Sequence, residues 1–167
     1  MKISKNMAIA GAFLTTAVLV FLATNKTKIM KKFLNITATA QLRGVDNHGS
    51  GAFGVARDGG TRKHQGLDFL AAVGEKIYSP IAGKIKRITY PYEGTIYKGV
   101  EIVNDDVKIK IFYFSPIVAL VGKEVLAGQV IGKAQNIAAK YAGIKNHVHI
   151  EIRNAFTGDL INPETLF

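Results

Sequence analysis

From Gly66 onward the chain alternates apolar and polar residues with the period of a strand. The β-like runs are "GLDFLA", "KIYSPIAG", "GKIKRITYP", "GVEIVN", "VKIKIFYF", "GQVIGKA" and "HVHIEI", with Gly, Asn and Asp turn signals between them. Only "NIAAKYAG", residues 136–143, reads as a short helix in this part of the chain. The pattern predicts an all-β fold, a small antiparallel β sandwich or barrel. "GEKIYSPIAGKI" (74–85) also echoes "GKEVLAGQVIGK" (122–133). Each has a glycine, an apolar residue three positions on, a turn glycine and a second strand. A duplicated hairpin unit and a chance likeness of turn chemistry both explain the echo.

The amino-terminal part follows another pattern. "MAIAGAFLTTAVLVFLAT", residues 7–24, carries no charge and reaches the lower end of the length that spans a bilayer. It is expected to be a single transmembrane helix, after a basic amino terminus (1–6) and before a linker (25–45). A cleaved signal is the rival reading, but Phe21 and Ala23 do not make a small-x-small cleavage site. Lys2 and Lys5 precede the run, whereas Lys26, Lys28, Lys31 and Lys32 follow it. That bias leans weakly toward a cytoplasmic carboxy-terminal domain. The domain itself is expected over 46–167, with "DNHGSGAFGVARDGGTRK" (46–63) as an ordered loop or short hairpin.

Charge and composition narrow the chemistry. The formal net charge is +10, yet no Asp or Glu precedes residue 33, where six lysines lie. Without those six, 16 basic side chains face 12 acidic ones, so the domain lacks the charge excess of a nucleic-acid binder and none is expected as a partner. The 17 glycines suit many tight turns. With no cysteine, disulfides are absent and any metal must be held by His, Asp or Glu.

The histidines are His48, His64, His147 and His149. On a strand His147, His149 and Glu151 point one way, and Val148, Ile150 and Ile152 the other. "HQGLD" puts His64 four residues before Asp68, and a bend at Gly66 would let the two side chains converge. One histidine of the HxH pair would complete a His-Asp-His set suited to zinc with a position open for water. The other would stand beside that water as proton carrier. His48, in the turn-like "DNHGSG", reads as structural or exposed.

"HQGLDF" together with "HVHIEI" resembles the lysostaphin-type zinc endopeptidases, which carry HxxxD and HxH motifs. "GAFGVAR" (51–57), "YSPIAGKI" (78–85), "GKEVLAGQVIG" (122–132) and "INPETLF" resemble that family's supporting segments in order, so the likeness covers about residues 46–167. It implies one zinc per chain held by His64, Asp68 and His149, with His147 as the catalytic histidine. Active members carry a further histidine in a Tyr-x-His-Leu-Ser stretch. In "IFYFS" (111–115) Tyr113 takes that place. The leukocyte chemotaxin branch has the same change and shares "DNHG", "HQGxD", "FYxxPI" and "YxGIxxHVHIE" with this chain. A phenol donates a hydrogen bond to an oxyanion but is a poor base near neutral pH, which makes Tyr113 the candidate donor.

The resemblance implies an endopeptidase acting on peptidoglycan peptides. The alternative is a catalytically inactive, zinc-stabilised binding module of the same fold. With the apolar run it implies a membrane-anchored protein at a bacterial cell envelope or in the virion membrane of a bacteriophage.

Overall fold

The computed structural model describes residues 32–167, and Lys32–Phe167 forms one compact unit. Two small hairpins come first: β1 (Val45–Asp46) with β2 (Gly49–Ser50), and β3 (Ala56–Arg57) with β4 (Arg62–Lys63). They fill the segment expected as a loop or short hairpin. Next come β5 (Leu67–Leu70), β6 (Lys76–Tyr78), β7 (Gly83–Thr89), β8 (Gly99–Val103), β9 (Val107–Phe112) and β10 (Phe114–Pro116). The chain ends with β11 (Glu124–Val125), β12 (Val130–Ala134), β13 (His147–Asn154) and β14 (Leu160–Ile161). Among the described residues the only helices are the short 3-10 turns Asp58–Gly60, Val118–Leu120 and Pro163–Thr165.

A seven-stranded antiparallel sheet runs β11-β7-β8-β9-β13-β14, with β5 also on β13; a three-stranded sheet runs β10-β12-β6. Strand alternation divides the large sheet into two faces. Val100, Ile102, Ile109, Ile111, Val148, Ile150 and Ile152 are fully buried on one face, joined by Leu67 and Phe69 from β5. The other face of β13 carries His147, His149, Glu151 and Arg153.

The sequence echo corresponds to a spatial exchange. β6 and β7 come from the first copy, β11 and β12 from the second. β6 pairs with β12, and β11 pairs with β7, so each copy lends its first strand to the other's second strand. Backbone bonds extend the match: Gly74 N to Ala134 O (2.9 Å) in one pair, Gly122 N to Ile85 O (2.7 Å) in the other. Mutual pairing of this kind favours a duplicated unit over chance likeness.

Two expectations change. Residues 136–143 are not a helix. Lys140 N bonds to Ile137 O at 3.0 Å, Ile137 N is held by Asn146 Oδ1 at 2.9 Å, and Gly143 at φ 85° reverses the chain. With both ends pinned, only a single turn fits. Residues 32–45, expected within a linker, belong to the domain: Phe33 and Ile36 are in the core, and Leu42 bridges to Phe69. Leu34, Ile36, Ala38, Ala40 and Leu42 alternate with polar residues, but burial does not follow that alternation: Phe33, Ile36 and Thr37 are buried, whereas Leu34 and Leu42 are exposed. Residues 1–31, with the expected transmembrane helix over 7–24, lie outside the described residues. Among the described residues no helix is long and apolar enough to cross a membrane.

Ile36 tests this boundary, because its side chain is completely buried. Ile36→Ala should lower the unfolding free energy by roughly 2–5 kcal/mol, the cost of a core truncation, read from the urea midpoint. A true linker residue would leave that midpoint unchanged.

Candidate metal centre

The register of β5 on β13 places Asp68 directly opposite His149. His64 lies just before β5, where the chain crosses β13 closely. Gly66 serves that crossing, and it does so by lacking a side chain. A Cβ there would lie 2.2 Å from Ile150 O and 2.6 Å from the His149 ring. Space, more than the bend expected at this glycine, is what the site requires. Gly51 plays the same part beneath it, since a Cβ would lie 2.9 Å from the Cβ atoms of both Arg43 and Asp68.

Three donor atoms meet as a result. His149 Nδ1 is 2.8 Å from Asp68 Oδ1, His64 Nε2 is 3.0 Å from His149 Nδ1, and His64 Nε2 is 3.3 Å from Asp68 Oδ1. The outer nitrogens fix the tautomers. His64 Nδ1 donates to Ala52 O at 2.7 Å, and His149 Nε2 donates to Glu151 Oε1 at 3.3 Å. Each imidazole therefore turns a lone pair inward, toward a carboxylate oxygen that also carries lone pairs. Three facing lone pairs repel unless a cation lies among them. The donor set, two imidazoles and one carboxylate, fits zinc, whose tetrahedral ligand atoms stand roughly 3.3 Å apart at bond lengths of about 2.0–2.1 Å. His64, Asp68 and His149 thus form a group able to hold a metal.

The electrostatics agree. Burial alone would raise the Asp68 carboxyl, but hydrogen bonds from His149 and His64 outweigh it and hold Asp68 well below the usual carboxylate range. Burial pushes His149 down, yet the Asp68 and Glu151 carboxylates win and raise it to about 9. A proton thus takes the cation's place when no metal is bound. His147 differs: burial is the largest effect and lowers it, only partly opposed by the charge of Asp68. Its Nδ1 donates to Lys145 O at 2.7 Å, which leaves Nε2 unprotonated 3.7 Å from Asp68 Oδ2. The structure thus brings the expected metal-binding residues together and sets His147 beside them as a free base.

Across residues 62–163 the chain matches the family described as "Peptidase family M23". The chain belongs to peptidase family M23. Bovine leukocyte cell-derived chemotaxin-2 is 34% identical over 113 residues, which is 66% of this chain and 72% of that protein. Among solved structures, Helicobacter pylori Csd3 superposes with a TM-score of 0.62 at 19% identity, covering 83% of this chain but only 35% of Csd3. The catalytic domain of the antimicrobial peptidase lysostaphin from Staphylococcus simulans gives a TM-score of 0.50 at 22% identity, covering 68% of this chain and 86% of that domain. The two structural likenesses concern the fold.

In this M23 domain Tyr113 stands where the chain leaves β9 in the large sheet for β10 in the small one. Its φ is +69°, a backbone state uncommon for a bulky residue. Tyr113 N donates to Lys98 O at 2.8 Å and its carbonyl accepts from Gln135 N at 2.9 Å, which locks the turn. The ring meets His147 edge-on, with centroids 5.5 Å apart. Burial, then the nearby Asp68 charge, raises the phenol well above its ordinary value, so it stays a donor. A groove of about 670 Å³ joins these residues to Arg43, Arg57 and Arg62 on one side and to Tyr92, Ile137 and Tyr141 on another. His48, expected to be structural or exposed, is exposed at its rim and donates from Nε2 to Ala142 O at 2.9 Å.

Arg43 is the functional residue that sequence reasoning missed. It is buried, and its Nε donates to Asp68 Oδ2 at 3.0 Å while Nη1 meets Asp46 Oδ2 at 2.6 Å. Its only signal was a lone charge after the uncharged "FLNITATAQL" (33–42).

Metal and proton should therefore compete. Without metal, the raised His149 stabilises the fold fully below its ordinary value of 6.5, and that stabilisation is lost as pH rises through about 9. Zinc affinity should move the opposite way, rising about tenfold per pH unit from neutrality and flattening near pH 9. Calorimetric titration of metal-free protein in two buffers of different ionisation enthalpy should show about one proton released per zinc at pH 7.

Proposed function

We propose that the protein is a zinc-dependent endopeptidase that hydrolyses peptide bonds in bacterial peptidoglycan. One observation carries the reading: three inward-facing lone pairs at His64, Asp68 and His149 lie beside the unprotonated Nε2 of His147. Membership of a peptidase family supports it. His64, Asp68 and His149 would hold the metal. Zinc in such a setting polarises a carbonyl and lowers the pKa of water to about 7.

The chain's own groups do the rest. His147 Nε2 takes the proton of the attacking water, while its Nδ1–H stays fixed on Lys145 O. The same nitrogen then returns the proton to the departing amine. The Tyr113 hydroxyl donates to the carbonyl oxygen as that oxygen gains negative charge. Glu151 keeps His149 in the ligating tautomer, and Arg43 occupies the Asp68 oxygen that faces away from the imidazole ligands. In this reading the partners are peptidoglycan peptides and, through residues 7–24, a membrane. The place of work is a bacterial envelope or the virion membrane of a bacteriophage.

A second reading is a zinc-stabilised binding module without peptidase activity. It is favoured by Tyr113 in place of the usual histidine and by the 34% identity with a protein named as a chemotaxin. Turbidity loss of purified cell walls separates the two. On the enzyme reading wild type clears walls, His147→Ala abolishes clearing with zinc still bound, and Tyr113→Phe slows it on the order of 10²–10³-fold. Tyr113→His should keep or raise the rate. Clearing by none of these chains, the histidine variant included, would favour the binding module.

The anchor has its own test. The full chain should stay with membranes through high-salt and alkaline washes, because surface charge alone is screened by salt. A mature amino terminus beyond residue 24 would replace the anchor with a cleaved signal.

A further inference from the structure

Arg57 stands apart among the cations of the groove. Three guanidiniums line it, those of Arg43, Arg57 and Arg62. Arg43 is held by Asp46 and Asp68, and Arg62 by Asp58. Lys140, on the loop that also carries Tyr141, donates to Tyr92 Oη at 2.8 Å. Arg57 meets only main-chain carbonyls, Nη2 on Ser50 O at 2.5 Å and Nη1 on Ala56 O at 3.4 Å. Among the described residues no carboxylate lies within salt-bridge distance of it. It is half-buried, and loss of water lowers its pKa before any other influence, so its charge is held without a full partner.

Its position makes this informative. Arg57 pairs with Arg62 across the β3–β4 hairpin, and β4 runs directly into His64. The guanidinium is tethered by its carbonyl contacts and lines the same groove as the metal-binding group. A tethered guanidinium with spare N–H groups is suited to a bidentate carboxylate.

We infer that Arg57 anchors a substrate carboxylate, so that the groove selects peptides bearing a free carboxylate close to the cleaved bond over bridges of uncharged residues. The inference rests on the peptidase reading above and adds the charge class of its substrate. The carboxylate has two possible sources, an acidic side chain or a chain terminus, and the same guanidinium would take either.

The test uses the zinc-loaded full chain and a fluorescein-labelled, cross-linked stem-peptide dimer in three forms: all carboxylates free, side-chain carboxylates amidated, and terminal carboxylate amidated. Binding is read by anisotropy in a His147→Ala background, so that the probe stays intact; cleavage is read with unsubstituted protein. The free form should bind about 10- to 100-fold more tightly than at least one amidated form, and the costly amidation names the source. Arg57→Gln should bring the three forms within about twofold, while Arg57→Lys should keep part of the preference as a point charge. Equal binding of all three forms to the chain with Arg57 intact would overturn the inference, and that comparison needs no Arg57 variant to fold. A preference that survives Arg57→Gln would overturn it as well. Preferential binding of the free form without cleavage of any form would remove the peptidase reading and leave the anchor standing. Cleavage indifferent to amidation, with equal binding, would do the reverse.

Discussion

A buried carboxylate at Asp68 is the constraint on which the rest depends. Its side chain is about as inaccessible as any core residue, yet it is ionised. A buried charge without partners costs several kcal/mol, so the surrounding chain must bring partners to both oxygens. Arg43, 25 residues before Asp68, reaches Oδ2; His64, four residues before it, and His149, 81 residues after it, reach Oδ1. The main chain is tied in the same way, with Arg43 N on Asp68 O at 2.9 Å and Asp68 N on Gly51 O at 3.0 Å. Residues 33–46, the first hairpin, β5 and β13 therefore assemble around one charge. Removing that carboxylate would cost the buried Arg43 one of its two carboxylate partners and leave the group able to hold a metal one ligand short.

β13 shows how a single strand serves stability and chemistry together. Its Val148, Ile150 and Ile152 are fully buried against the core, which fixes its register with β9 and β5. A slip of one residue would turn the imidazoles into the apolar core. The hydrophobic face thus positions the polar one, and each imidazole is then aimed by one outer hydrogen bond. The two histidines of the pair receive different partners: His147 a main-chain carbonyl, His149 a carboxylate. Burial dominates at His147 and lowers its pKa, whereas at His149 the Asp68 and Glu151 carboxylates outweigh burial and make the ring avid for a cation.

What the sequence revealed and what it hid follow from the range of the interactions. Period-two alternation is local, so the β architecture and the face shared by His147, His149 and Glu151 could be read directly. The HxxxD and HxH spacings, together with the family likeness, pointed to residues that indeed converge. The core role of Phe33 and Ile36 could not be read, because the alternation over residues 34–42 does not match the burial, which comes only from distant strands. Arg43 was hidden for the same reason, its partner lying 25 residues away. The turn at 136–143 misled through composition: its alanines favour helix, but Asn146 and Gly143 fix the ends too close together for one.

The tyrosine in the histidine's usual place is best understood from the backbone. Residue 113 is where the chain passes from one sheet to the other, and its left-handed φ belongs to that change of direction. Such a conformation costs about 1–3 kcal/mol for a residue with a side chain and persists only where the surroundings fix it. Here they do: Lys98 O accepts from both Tyr113 N and Phe114 N, and Gln135 N donates back to the Tyr113 carbonyl. All of these contacts are main-chain at residue 113, so none depends on what its side chain is. The direction of the Cα–Cβ bond toward His147 is thus a property of the sheet crossing. Any side chain at 113 leaves the backbone toward the same part of the groove, and its chemistry can change without moving the metal-binding group. The fold conserves the position, and the residue placed there decides whether the position supplies a phenol donor or an imidazole.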